Sequence, residues 1–215
     1  MLYKMRLPSI ERYKTDPCGT LSIPYYKAKV LTLPEGAAIV HEQEFDPAAF
    51  PGCSDEPYFR LVHRLSDIGP AESSLFSIRT AEDEDLPLVA GIIARSYPDI
   101  GISREKLCAM RSSEVFDPEL WVIAYDKRSG LPAACGIAEY DRETGEAALD
   151  WIQTLPEFRR MGAGKRIVLE LLSRLAGKAE FATVSGRAND KNLPEALYRA
   201  CGFEGNDIWH VLRKG

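Results

Sequence analysis

Arg159-Arg160-Met161-Gly162-Ala163-Gly164 places two glycines two apart, and Lys165 and Arg166 follow to complete a cationic cluster. The hexapeptide comes after an extended stretch ending at Pro156 and leads into the apolar run Ile167-Val168-Leu169-Glu170-Leu171-Leu172, so the order reads strand, tight loop, helix. The first amides of a helix have no partner inside it, and the helix dipole is positive there. A loop with little side-chain bulk lets an anionic phosphate reach those amides. The chemistry that this spacing suits is the holding of a phosphorylated ligand. A tight turn with solvated cations is the structural alternative.

Two better-known phosphate motifs do not fit. Gly164-Lys165 resembles the end of a nucleotide P-loop, but counting back puts Arg159 where its first glycine belongs and Arg166 where its magnesium-binding hydroxyl belongs. A dinucleotide Gly-x-Gly-x-x-Gly has Ile167 in place of its third glycine, and the strand before the loop closes a hairpin series.

A wider pattern surrounds the loop. Upstream it reads Thr154-x-Pro156-x-x-Arg159-x-x-Gly162-x-Gly164, and some thirty residues later comes Leu197-Tyr198-Arg199-Ala200-Cys201-Gly202-Phe203. The pair resembles the GNAT superfamily of acyl-CoA-dependent N-acyltransferases, with their Arg/Gln-x-x-Gly-x-Gly/Ala loop and later Leu-Tyr-x-x-x-Gly-Phe helix. The likeness covers roughly residues 75–215. It implies an N-acetyltransferase that moves an acetyl group from acetyl-CoA to an amine by direct attack. A non-catalytic acyl-CoA-binding or regulatory domain that keeps the phosphate loop is the alternative.

Aminolysis of a thioester needs no metal. It needs a neutral amine aimed at the carbonyl, donors for the developing oxyanion, and a proton for the departing thiolate. The resemblance implies that backbone groups of Ile152, Gln153 and Thr154 hold the acyl carbonyl and pantetheine. It also implies that amides across Arg160, Met161, Gly162, Ala163, Gly164 and Lys165 take the pyrophosphate, with Arg159 bracing the loop, and that the Tyr198 hydroxyl is the general acid. The family's pantetheine-contacting asparagine stands seven residues before that tyrosine, where this chain has Lys191; Asn192 is the neighbouring candidate, with a helix cap as its other role. Glu146 and Asp150 are four apart on one expected strand and so are expected on one face, and Glu139 lies on the strand before. Asp150 is the candidate base, acting directly or through water; a solvated strand-edge acid is the alternative.

Composition narrows the remaining classes. The chain has 215 residues, 45% of them hydrophobic and 27% charged, which suits a soluble globular protein with a full core. A net charge of −5 argues against a general nucleic-acid-binding surface. No run of eighteen apolar residues marks a membrane span, and Met1-Leu2-Tyr3-Lys4-Met5-Arg6 lacks the apolar centre of a secretory signal, so a cytoplasmic location is expected. The five cysteines, Cys18, Cys53, Cys108, Cys135 and Cys201, are widely spaced and the three histidines isolated, so neither a disulfide framework nor a metal site is expected. The expected partner is a small-molecule or peptide amine acceptor, and a homodimer is compatible with this reading.

The elements that must position these groups follow from periodicity. A linker at 67–74, carrying Gly69-Pro70, separates a β-rich extension (1–74) from the GNAT-like domain (75–215). Within the latter we expect a strand at 75–79, a helix to about Tyr97 with acids in its first turn, and a short helix over 103–111. Three strands joined by hairpins follow, at 120–125, 133–140 and 147–155. Then come a helix from about 160 to 176, a strand at 181–185, the helix carrying Tyr198 and a strand at 208–213. This is an α/β fold with a mixed central sheet and flanking helices. In the extension, strands are expected over 27–33, 37–45 and 58–65, with a loop from Asp46 to Pro57.

Overall fold

A computed structural model describes residues 3–4, 7–70, 75–96 and 101–214. The described strands are β1 (Tyr3–Lys4), β2 (Thr32–Leu33), β3 (Ala37–His41), β4 (Cys53–His63), β5 (Phe76–Thr80), β6 (Trp121–Asp126), β7 (Pro132–Asp141), β8 (Glu146–Thr154), β9 (Phe181–Arg187) and β10 (Glu204–Lys214). The helices are α1 (Ile10–Thr15), α2 (Pro17–Thr20), α3 (Tyr25–Val30), α4 (Leu86–Ser96), α5 (Arg104–Arg111), α6 (Ala163–Leu175) and α7 (Pro194–Arg199). The strand order is β3-β10-β4-β9-β8-β7-β6-β5, with β1 and β2 paired separately. This is the mixed α/β class expected. Two compact units divide the chain: one takes 1–63, 183–199 and 203–215, the other 64–182 and 200–202. Part of the expected linker, residues 71–74, lies outside the described residues.

The second unit holds the glycine loop at 159–164. Its strands β5 to β8 pair in antiparallel fashion, with Ile78 opposite Ala124, Ile123 opposite Cys135, and Cys135 opposite Gln153. Leu86, Val89, Ile92 and Ile93 share one stripe of α4 by helical spacing and are all buried. They form one core cluster with Leu107 of α5, Trp121 and Ile123 of β6, and Cys135 and Ile137 of β7. Ser103, expected as the first helical residue, instead caps α5 by accepting from the Lys106 amide.

The other sheet face takes α6, whose Ile167, Val168, Leu171, Leu172 and Leu175 are buried. Gly136 on β7 sets how close this helix comes. A β-carbon there would stand 2.3 Å from Ile167 Cγ2, 3.1 Å from Leu171 Cδ1 and 3.4 Å from Ile152 Cδ1. Any larger residue would push α6 off the sheet.

In the first unit β10 is the organising strand, with β3 antiparallel on one side and β4 on the other. Three expectations change here. Lys27–Leu33 is not a strand: Tyr25–Val30 is helical and only Thr32–Leu33 is extended. Tyr25 and Ala28, three apart, are the buried residues, so burial follows the helical repeat. The expected 37–45 strand stops at His41, where Glu42–Glu44 makes a 3-10 turn. The loop expected to reach Pro57 instead gives way to β4 at Cys53. Proline is tolerated in this strand because it sits level with the end of β9, and its carbonyl accepts from the Ala188 amide just beyond that end (2.9 Å).

Candidate functional site

The glycine loop is built by the end of β8. After Thr154, Leu155 is buried and Pro156–Phe158 makes a 3-10 turn. Arg160 (φ 62°) and Gly162 (φ 91°) are both left-handed, and α6 begins at Ala163. This helix starts three residues later than the expected start near 160, because the two left-handed residues must precede it. Arg166 is the first residue whose amide closes onto the loop, donating to the Gly162 carbonyl (2.9 Å). The amides of Ala163, Gly164 and Lys165 therefore lie ahead of the first helical bond, and Gly162 offers no capping side chain. A β-carbon at Gly162 would meet nothing within 4 Å, so glycine is needed for its backbone angle, and the space above it is open.

The charges here run against helix preference. The first turn of α6 has no acidic residue and carries Lys165, although the dipole favours anions at that end. Arg160 and Lys165 are exposed, and no carboxylate among the described residues pairs with either. Arg166 is occupied, with Nη1 2.7 Å from Glu170 Oε2; Glu170 in turn meets Arg174 Nε at 2.9 Å. Burial raises the Glu170 carboxyl while its bonds to Arg166 and Arg174 lower it, and the net direction is down. Arg159 is also committed: its Nε donates to the Thr154 carbonyl (3.4 Å) and its Nη2 to the Ser96 carbonyl at the end of α4. Arg159 thus braces the loop, and Arg160 and Lys165 are the cations placed to meet an anion. The residues present fit a pyrophosphate: uncapped amides, open space and two exposed positive charges.

The strand leading to the loop carries a β-bulge. Ile137 faces Trp151 and Ala138 faces Leu149, which leaves Asp150 as the extra residue. Strict alternation fails at that point. Glu146 is fully buried, whereas Asp150 is exposed, so the two acids expected on one face have different environments. Glu139 is buried on β7. Ile152 and Thr154 are half-buried and Gln153 is 8% exposed. The bulge and the close approach at Gly136 depend on long-range register and leave no local mark in the sequence, whereas the bracing by Arg159 was expected from the loop motif.

Cys201, on the 200–202 segment of the same unit, is pushed up to about 11 by burial, with Lys165 pulling the other way. It is a thiol, not a nucleophile, near neutral pH. Burial likewise pushes Cys135 up to about 12.

Tyr198 and Asn192 lie in the first unit. Tyr198 is 7% exposed on α7, its ring tilted against Phe59 (5.7 Å separates it from Phe203, 6.1 Å from Phe59). The Phe203 amide donates to the Tyr198 carbonyl (3.1 Å), which ties together the ends of the Leu-Tyr-x-x-x-Gly-Phe stretch. Asn192 does not cap α7. Its own amide and its Nδ2 both donate to Asp190 Oδ1, at 2.7 and 3.0 Å.

Comparison with known proteins bears on this arrangement. The family model described as FR47-like protein matches residues 134–213, from β7 through β10. Solved structures share the fold, the first being a GCN5-related N-acetyltransferase from Sphaerobacter thermophilus, with a TM-score of 0.68 and 17% identity. Residues 134–213 are thus similar to the FR47-like family, and the fold is the one these N-acetyltransferase structures share. The Sphaerobacter match covers 83% of this chain and 58% of that one, so the chain spans little over half the length of this relative. A tandem GNAT protein from the clavulanic acid biosynthesis pathway matches at TM-score 0.59 and 18% identity, covering 83% of this chain and 64% of its own. The ribosomal-protein-S18-alanine N-acetyltransferase from Escherichia coli matches at 0.50 and 20%, covering 64% and 92%. At these identities the likeness is one of fold. No curated protein matches the chain. Among the described residues no helix is long and apolar enough to cross a membrane, and no group of three or more His, Cys, Asp or Glu is placed to hold a metal ion.

Proposed function

We propose that this GNAT-type chain is an N-acetyltransferase that transfers the acetyl group of acetyl-CoA to a small-molecule or peptide amine. The observation that carries the reading is the start of α6: uncapped amides at 163–165, a left-handed glycine under open space, and cations where the helix dipole favours anions. A residue pattern that opposes the dipole costs stability unless an anion occupies the site. The N-acetyltransferase structures that share the fold support the same reaction class.

In this reading the amides of Ala163, Gly164 and Lys165, with Arg160 and Lys165 side chains, hold the pyrophosphate. Backbone groups of 152–154 align the pantetheine and the thioester carbonyl. The neutral amine attacks that carbonyl, the new N–C bond forms as the C–S bond breaks, and the nitrogen gives up a proton while the thiolate takes one. Tyr198 is the proton donor to sulfur, a role that rests on its place in the Leu-Tyr-x-x-x-Gly-Phe motif. Asp150, exposed at the bulge, is the proton acceptor, directly or through water.

A screen of amines with acetyl-CoA, read by free-thiol release, tests the proposal. The expected result is thiol release that requires an amine. Tight acetyl-CoA binding with no amine-dependent release across the screen would favour a binding domain instead.

A further inference from the structure

Gln153 has a property that its role in the strand backbone does not explain. Its side chain is 8% exposed, and no group among the described residues donates to Oε1. A buried carbonyl without a donor costs about 1–3 kcal/mol relative to a satisfied one. Leucine or methionine would fill a core position without that cost.

Register fixes where this side chain points. Gln153 faces Cys135 across the β7–β8 ladder, and cross-strand partners share a face. Cys135 belongs to the cluster with Val89, Ile92 and Ile93 of α4, so Gln153 lies on the α4 side. Its neighbour Ile152 lies on the α6 side, against Gly136. The helix end is close along the strand as well, because Arg159 donates to both the Thr154 and the Ser96 carbonyls. The Gln153 amide is therefore set beside the last turn of α4, next to the backbone assigned above to the thioester and three residues past the bulge at Asp150. The donor molecule's phosphate site, at α6, is on the opposite face.

We infer that the Gln153 side-chain carbonyl is a specificity-determining contact for the acceptor, taking a hydrogen bond from a second N–H or O–H donor close to the amine that is acetylated. The inference rests on the acyl-transfer reading. The acceptor class it names is an amine with a neighbouring carboxamide, hydroxyl or second amine, as in an amino-acid amide or a peptide terminus. Without such a donor, an amine leaves Oε1 unsatisfied in the complex, and a site built this way discriminates strongly against it.

The test compares phenylalaninamide with phenethylamine, which share ring and amine but differ in the carboxamide donor, using wild type and Gln153→Met. Gln153→Leu repeats the test should the methionine protein fold poorly. Wild type is expected to prefer phenylalaninamide. In the variant, the preference for phenylalaninamide over phenethylamine, read as the ratio of the two kcat/KM values, should fall roughly tenfold, equivalent to about 1.4 kcal/mol. The melting temperature should hold or rise, since no protein bond is lost. A fall in melting temperature with unchanged kinetics would make Gln153 structural and overturn the inference. So would an acetyl-CoA KM that rises while acceptor preference persists. Wild type that acetylates other amines but shows no preference between these two refutes the inference and leaves the acyl-transfer reading standing. Wild type that acetylates no amine removes both.

Discussion

Replacing Gly162 with glutamate separates the contribution of charge from that of backbone. Any L-residue at φ 91° is strained, by roughly 1–2 kcal/mol, and that cost falls on folding. Gly162→Ala carries this strain alone, since a β-carbon meets nothing within 4 Å. Gly162→Glu adds a carboxylate beside amides 163–165. At about 4 Å in a water-like dielectric, one phosphate charge and one carboxylate repel by about 1 kcal/mol, and Gly162 is exposed, so this low end applies. With the added bulk, acetyl-CoA should bind at least roughly tenfold more weakly to the glutamate variant than to the alanine variant, about 1.4 kcal/mol. Calorimetric titration of both folded variants gives the comparison, and the gap should narrow at high salt as screening grows. Equal affinities for glutamate and alanine variants would refute phosphate binding at the start of α6.

Tyr198→Phe keeps the ring packing against Phe59 and Phe203 and removes only the hydroxyl; single-turnover acetyl transfer should fall on the order of 100-fold with acetyl-CoA affinity unchanged, and an unaltered rate would assign Tyr198 to packing. His210 links Asp55 (Nδ1, 2.9 Å) and Glu42 (Nε2, 2.5 Å) beneath the Phe45 ring, and although burial disfavours its charged form, the two carboxylates outweigh that and raise its pKa. A raised folded pKa contributes stability that is full below the unfolded value near 6.5 and is lost as pH rises through the folded value. Wild type should therefore exceed His210→Gln by roughly 1–3 kcal/mol at pH 5.5, with the gap shrinking as pH rises through the folded value; denaturant unfolding across a pH series would show a constant gap if the imidazole were neutral throughout.

Local chemistry made much of the second unit legible. The short helix beginning near Ser103 and the hairpins between β6, β7 and β8 are each written within a dozen residues, and each appears close to where it was expected; the acids at 82–85 precede α4 rather than filling its first turn. The glycine loop ahead of α6 was legible because glycine spacing and helix start are both local. The first unit was less so. Its strands β3 and β4 do not pair with one another but with β10, far along the chain, and Pro57 masked the start of β4. A short apolar stretch such as 25–30 reads equally as strand or helix, and only burial of Tyr25 and Ala28 decides it. At the site, Asp150 and Glu146 were separated by a bulge that depends on register with β7. Gln153 shows its unsatisfied carbonyl only once the sheet face is fixed.

Transfer of an isotope-labelled acetyl group tests the central claim most directly. Wild-type protein in excess is mixed with acetyl-CoA carrying a 13C acetyl carbonyl and with phenylalaninamide, and the reaction is followed by NMR and thiol titration. The account predicts that the label appears in an N-acetyl amide at the same rate and in the same amount as free coenzyme A. Label recovered as acetate, or remaining on coenzyme A despite saturating binding, would contradict it.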